Sequence, residues 1–323
     1  MTPPSAPLPR LRFAHLPTPV EPMPRLAADL GGPALWIKRD DQTGLAFGGN
    51  KTRKLEFLLA DAQAHGARTV VTAGAVQSNH CRQTAAAAAR FGFECVLVLA
   101  GSPPKTANGN LFLDHLLGAK IVWAQGEDRE ALLRSTFEKA SADGRRPYLV
   151  PYGGSNPLGA AAYAAALAEF LAQDVAVDWI VFATSSGGTQ AGLVAGARAH
   201  GFRGRITGIS VDEPAAALSA RVAALATQGM GLLGLEGSIG AAEIEVNDRF
   251  LGGGYGVMGE REKEAIRLFA QNEGILLDPV YTGRAAGGMI DLIRTGEISA
   301  EERVLFWHTG GTPALFAYAD QLA

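Results

Sequence analysis

Short apolar runs punctuate this chain, and the stretches between them repeat their apolar residues every three or four positions. The runs read as buried strands, the periodic stretches as helices. After a proline-rich lead comes Leu16-Pro17-Thr18-Pro19, then the apolar Ala34-Leu35-Trp36-Ile37, which runs into charge at Lys38-Arg39-Asp40-Asp41. Leu55, Leu58, Leu59 and Ala62 share one helical face and Gly66 supplies a stop, so the spacing predicts a helix over 51–65. From there the two patterns alternate. A strand at 69–73 precedes an alanine-rich helix ending at Phe91-Gly92, and a strand at 95–99 precedes a helix near 108–117. A strand at 120–123, a helix near 127–140 and the run Tyr148-Leu149-Val150 complete this part.

Gly153-Gly154-Ser155-Asn156-Pro157 interrupts the alternation, which then resumes. A helix at 158–171, a strand at 179–183, a helix from Gln190 to near His200 and a strand at 206–211 are expected. Between 229 and 257 glycine is dense and periodicity is lost, which predicts loop. A helix over 259–273, the segment 276–283, a helix to near Arg294, a strand at 304–307 and a final helix close the chain. Such alternation implies right-handed crossovers and parallel sheets covered on both faces. The predicted fold class is α/β, with two lobes that each hold an open, mostly parallel twisted sheet covered by helices. With the glycine-rich break as the return point, residues 1–49 and 155–323 form a larger lobe and 50–154 a smaller one.

Composition narrows the function. The 323 residues are 47% hydrophobic and 19% charged, with a net charge of −3, which describes a globular protein long enough for two lobes. A nucleic-acid binder would gather a basic excess, so small molecules are the expected partners. The start Met1-Thr2-Pro3-Pro4 lacks the basic and apolar regions of a signal peptide, and no apolar stretch reaches membrane-spanning length. A cytoplasmic location without membrane or nucleic-acid partners is therefore expected, with a homodimer as the default assembly. The two cysteines, Cys81 and Cys95, fit neither a disulfide framework nor a metal-ligand spacing, and no metal is expected.

Candidate chemistry sits where predicted strands enter helices, because in parallel sheets ligands collect at strand carboxyl ends. Gly48-Gly49-Asn50-Lys51-Thr52-Arg53-Lys54 puts three cations into a first helical turn, where the dipole disfavours them. An amine that must be partly neutral to attack a carbonyl, beside cations that hold phosphate, explains the choice; a solvated basic helix start is the plain alternative. Ser185-Ser186-Gly187-Gly188-Thr189 follows a strand and opens a helix, as a phosphate cup or as an ordinary tight turn. It lacks both the P-loop lysine and the dinucleotide glycine spacing. In Gln77-Ser78-Asn79-His80, Ser78 and Asn79 are either helix caps or contacts to substrate carboxylate and cofactor oxygen, and His80 is either a base or a packed imidazole. Tyr281-Thr282 and His308-Thr309-Gly310-Gly311 add hydroxyls at two more strand ends. One lysine, one anion cup, aromatic surface and several hydroxyls together suit a flat, phosphorylated, aldehyde-bearing cofactor better than a nucleotide.

Taken in order, the 48–54 and 77–80 segments, Asp278-Pro279-Val280-Tyr281-Thr282-Gly283 and His308-Thr309-Gly310-Gly311 resemble the pyridoxal-phosphate enzymes of the D-cysteine desulfhydrase and 1-aminocyclopropane-1-carboxylate deaminase family. The resemblance runs from about Leu16 to Tyr318. It implies the tryptophan-synthase-β type of fold, with pyridoxal 5'-phosphate between two α/β lobes. Lys51 would join the cofactor's aldehyde, with Asn50 beside it, Lys54 and the 185–189 loop would hold phosphate, and Asn79 would lie near the ring hydroxyl. Gln77, Ser78, Asn79, His80 and Thr282 would surround a small amino-acid substrate. Tyr281 would lie against the pyridine ring, and Tyr255 would be a second active-site phenol.

Deaminases of the cyclopropane substrate place glutamate and leucine where this chain has Thr282 and Thr309, the pattern of the desulfhydrase-like branch. A hydroxyl at Thr309 can only hydrogen-bond the pyridine nitrogen, a weaker electron sink that suffices when a good leaving group departs. The resemblance thus implies α,β-elimination, from D-cysteine first and from L-cysteate as the nearest rival; cyclopropane deamination and non-catalytic small-molecule binding stand further off.

Overall fold

The apolar runs pair into two separate sheets in this computed structural model, which describes residues 8–322; the 1–4 lead lies outside them. β1 (Val20–Pro22), α1 (Pro24–Leu30), β2 (Ala34–Arg39) and α2 (Asn50–Ala64) come first. Then follow β3 (Thr69–Gly74), α3 (Asn79–Phe91), β4 (Glu94–Leu99), α4 (Gly109–Leu116), β5 (Lys120–Trp123), α5 (Arg129–Ala142) and β6 (Pro147–Leu149). The remainder is α6 (Pro157–Leu171), β7 (Trp179–Thr184), α7 (Gly188–His200), β8 (Arg205–Ser210), α8 (Ala215–Leu232), β9 (Glu245–Asn247), α9 (Glu260–Glu273), α10 (Thr282–Arg294), β10 (Arg303–His308), α11 (Thr312–Leu315) and α12 (Ala319–Leu322).

Strands β3 to β6 form a wholly parallel sheet in the order β5-β4-β3-β6, with Val71 opposite both Val96 and Leu149. The other six order as β1-β2-β10-β7-β8-β9; β1 is antiparallel to β2 and the remaining pairs are parallel. The last strand in sequence therefore lies inside the larger sheet, with Phe306 opposite Ile37 and Val181.

Burial on both faces explains why the strands read as continuous apolar runs. On β10, Val304 and Phe306 join a core with Ile37, Val181, Ile209 and Phe269, while Leu305 and Trp307 face Tyr163, Phe170, Phe182 and Leu193. In the smaller sheet the predicted face of α2, Leu55, Leu58, Leu59 and Ala62, packs with Val70, Leu97 and Leu99, and Phe13 from the N-terminal stretch joins them. Loop was expected over 229–257, and the structure corrects this at its start and again inside it. Helix α8 runs on to Leu232, because Leu218, Val222, Ala226 and Met230 bury against Ala160, Ala191 and Ala195. That burial outweighs the poor helix propensity of Gly229 and Gly231. β9 pairs with β8 inside the same stretch, Thr207 opposite Glu245, and its polar residues give no apolar run to read.

Candidate active site

The loops leaving β3, β6, β7 and β10, the segment before α10 and the start of α2 converge on one cleft. Its walls include Asn50, Lys51, Ser78, Asn79, His80, Ser185, Ser186, Gly187, Thr189, Tyr281 and Thr309. Of the sequence-predicted residues, Lys54, Gln77, Gly188, Tyr255 and Thr282 do not line it. Tyr152, Gly153, Ala183 and Thr184 do, and sequence reasoning passed over them.

Lys51 owes its place to close backbone packing around α2. The helix starts at Asn50 behind Gly49, whose φ of 127° suits glycine. Gly310, at φ +85, lies so near that a Cβ on it would come within 2.7 Å of the Gly49 Cα. Asn50 N donates to the Thr309 carbonyl (3.0 Å) and Asn50 Nδ2 to Thr189 Oγ1 (3.1 Å), tying the helix start to two strand-end loops. The Lys51 amine is left inside protein, where burial lowers its pKa to about 8 with no carboxylate opposing the shift.

Opposite it, α7 begins behind Gly187 in the left-handed region; Gly187 has no capping side chain and the first N–H, of Gly188, is taken by Ser155, which leaves the N–H groups that follow it for an anion. Ser155 Oγ accepts from Lys54 Nζ (3.3 Å) and Gly188 N (3.1 Å) and meets Ser186 Oγ at 2.7 Å. The Ser155 proton has two acceptors in reach, the near Ser186 Oγ and the Gly153 carbonyl at 3.4 Å. Lys54 thus stands behind the cup and acts on it through Ser155, a residue not anticipated. Burial, then Lys51, hold the Lys54 pKa well below the ordinary lysine value. Ser185 donates instead to Asp212 Oδ2 (2.6 Å).

On the facing wall, Ser78 caps α3 by accepting from Cys81 N (3.1 Å), which leaves its hydroxyl proton for the cleft. Thr72 Oγ1 donates to the Val150 carbonyl (2.8 Å) and contacts His80 Nε2 at 2.9 Å, so Nε2 carries hydrogen and Nδ1 is bare. Burial, then Lys51 and Lys54, push the His80 pKa well below its ordinary value, and the ring is neutral. Gln77 turns away to Asn108 and Asn110. Tyr281 enters from a turn locked by Asp278, which accepts from Val280 N, Tyr281 N and Thr282 N. Thr282 spends its hydroxyl on Asp278 Oδ1 (2.7 Å) and so contributes none to the cleft, contrary to the expected substrate contact. Tyr255 stands behind Tyr281, hydroxyl to hydroxyl at 2.8 Å, and burial raises the pKa of both.

Arg53, unassigned from sequence, turns out to be structural. It forms ion pairs with Asp40 (2.8 Å) and Glu169 (2.8 Å). Asp40 also accepts from Thr18, Tyr163 and Trp307. Burial alone would raise the Asp40 pKa, but Arg53 together with the Tyr163 and Trp307 hydrogen bonds outweighs it and holds the carboxyl below the usual range. Among the described residues, none of the His, Cys, Asp and Glu side chains cluster to hold a metal ion, and no helix is long and apolar enough to cross a membrane.

The family model described as "Pyridoxal-phosphate dependent enzyme" matches residues 11–310. A D-cysteine desulfhydrase of Salmonella typhimurium is 43% identical over 319 residues, 96% of either chain. One of Klebsiella pneumoniae subsp. pneumoniae is 44% identical over 323 residues, 97% of either chain. A crystal structure of an ACC deaminase homologue superposes with a TM-score of 0.91 at 38% identity, covering 98% of this chain and 95% of the other. A fungal L-serine ammonia-lyase from Rhizomucor miehei shares the fold, at TM-score 0.70 and 18% identity over 96% of this chain and 98% of that one.

Proposed function

Because this chain belongs to the pyridoxal-phosphate-dependent enzymes, we propose that its cleft carries out α,β-elimination on D-cysteine, which with water gives pyruvate, hydrogen sulfide and ammonia. The observation that carries the reading is Lys51, an amine partly neutral near physiological pH, facing the hydroxyl-lined start of α7 across one cleft. The residues fit the cofactor. The α7 turn and Ser186 donate to a phosphate, Asn79 and Thr309 offer polar atoms along the wall, and the buried Thr184 hydroxyl there has no protein partner. Bound there, pyridoxal phosphate supplies an aldehyde for an amine and a ring that draws electrons from the substrate's α-carbon.

The chain's own groups do the rest. Lys51, once displaced by the substrate amine, is free to take the α-proton as a general base. Ser78 directs its hydroxyl proton at the substrate carboxylate, beside the N–H groups that open α3. His80 accepts but does not protonate, since its pKa lies well below neutral. Tyr281 keeps its proton at physiological pH and, backed by Tyr255, donates a hydrogen bond to the departing sulfur. The smaller lobe, which we assign to residues 50–154, brings Lys51, Ser78 and Asn79; the larger brings the cup, Tyr281 and Thr309.

Steady-state turnover on D-cysteine, L-cysteate and 1-aminocyclopropane-1-carboxylate in parallel tests the substrate. Sulfide release from D-cysteine is expected to dominate. Ammonia from the cyclopropane substrate with none from D-cysteine would overturn the reading.

A further inference from the structure

Behind the cleft a short chain of amides decides which end of Asn79 faces inward. Asn110, wholly buried in the first turn of α4, donates through Nδ2 to the Gln77 carbonyl (3.0 Å) and to Asn79 Oδ1 (2.8 Å). A backbone carbonyl can only accept, so Gln77 obliges Asn110 to present its NH₂ group, and that group claims the Asn79 oxygen. Turning Asn110 over would set its oxygen against two acceptors. What Asn79 has left for the cleft is therefore Nδ2, a donor.

The turn holding Asn110 is shaped for this approach. Gly109 has a φ of +52°, and a Cβ there would come within 2.5 Å of Gln77 Oε1 and 2.8 Å of the Pro313 carbonyl. Gln77 Oε1 in turn accepts from Asn110 N (2.8 Å), so loop and helix start are tied in both directions.

We propose that Asn110 is a positioning residue that makes Asn79 an obligate hydrogen-bond donor to the ring oxygen of pyridoxal phosphate. The assignment rests on the cofactor reading given above. Its energetic meaning follows from polarity: a donor favours an anionic ring oxygen, whereas an inverted amide would oppose it with its own oxygen. Asn110→Asp supplies that inversion at nearly constant shape, since its carboxylate accepts from Asn79 Nδ2 and turns the amide round, while its repulsion from the fixed Gln77 carbonyl is read separately as lost folding stability.

The experiment measures binding of pyridoxal phosphate and of 3-deoxypyridoxal phosphate, which lacks the ring oxygen, to wild type, N110D and N110A. From the usual cost of setting a buried acceptor against an acceptor, N110D should lose about tenfold in affinity for pyridoxal phosphate and stay within about twofold for the deoxy analogue. N110A releases the amide without inverting it, so it should lose about threefold with the same selectivity, and it carries the test alone if N110D does not fold. The visible absorbance of bound pyridoxal phosphate should also redistribute in N110D and much less in N110A. A merely structural Asn110 would weaken both ligands equally; that result, or unchanged binding of pyridoxal phosphate, overturns the assignment. Wild type that binds neither ligand would overturn the cofactor reading and the assignment with it, whereas a yellow wild type with an indifferent N110D sinks the assignment alone.

Discussion

At the scale of single residues, Lys51 has two properties that can be measured apart. Lys51→Ala should remove both the yellow colour with pyridoxal phosphate and all elimination, and retained turnover would take the amine out of the chemistry. The second property is a stability effect of the cofactor-free protein. The ordinary lysine pKa is 10.5 and the folded value about 8, so between these the unfolded chain holds a proton that the folded protein lacks. Stability therefore rises with pH across that window, and below about 8 the folded state bears the whole penalty. Lys51→Met should be more stable than wild type near pH 7 by up to about 3 kcal/mol, with the gap closing near pH 10.5 in urea titrations. A gap that ignores pH would show that the amine is not desolvated. Lys51 was legible in the sequence because the loops at 77–80, 185–189, 281–282 and 308–311 turned a basic helix start, locally as well read as a solvated one, into a cofactor lysine. Tyr152, Gly153 and Ser155 were not, because glycine and serine after β6 served equally well as a lobe break. Yet that segment also follows a parallel strand, and the rule that found 77–80 and 185–189 applied to it unchanged.

At the scale of elements, the buried charges around Arg53 set where α2 lies. Arg53 reaches from α2 to Asp40 beyond β2 and to Glu169 on α6, and Lys38 joins them through Glu169 (2.7 Å). Removing one partner of a buried pair leaves the other charge unpaired, so Asp40→Asn should cost about 3–5 kcal/mol in urea unfolding. Because α2 carries Lys51 at its start, cofactor affinity should fall in the same variant. A loss below about 1 kcal/mol, the range of exposed pairs, would mean the network is solvated. Strands buried on both faces were legible as uninterrupted apolar runs, and α2 and α9 through a periodic face closed by glycine. Helix α8 was not, since alanine, glycine and small polar residues give it little contrast between faces, and it forms because α6 and α7 offer it an apolar seat.

At the scale of the molecule, the site is assembled from both sheets, and neither holds it alone. The smaller sheet uses strands contiguous in sequence, β3 to β6, and its pairings are available early. The larger takes β1 and β2 from one end of the chain and β10 from the other, with β10 between β2 and β7. The α/β class could be read from the alternation, and a division into two lobes from the chain's length and the glycine-rich break at 153–157, whereas this strand order could not, because hydrophobic periodicity says what is buried and nothing about which neighbour buries it.

The position of β10 has a consequence for the order of events during synthesis. Until the segment 303–311 has left the ribosome, β2 and β7 have no strand between them, Gly49 has no Gly310 at its back and Asn50 N has no Thr309 carbonyl to meet. Nascent chains arrested before residue 303 should stay colourless with pyridoxal phosphate, while chains extended through the C-terminus acquire the chromophore. Cofactor capture would then report that β10 has been made and has taken its place between β2 and β7.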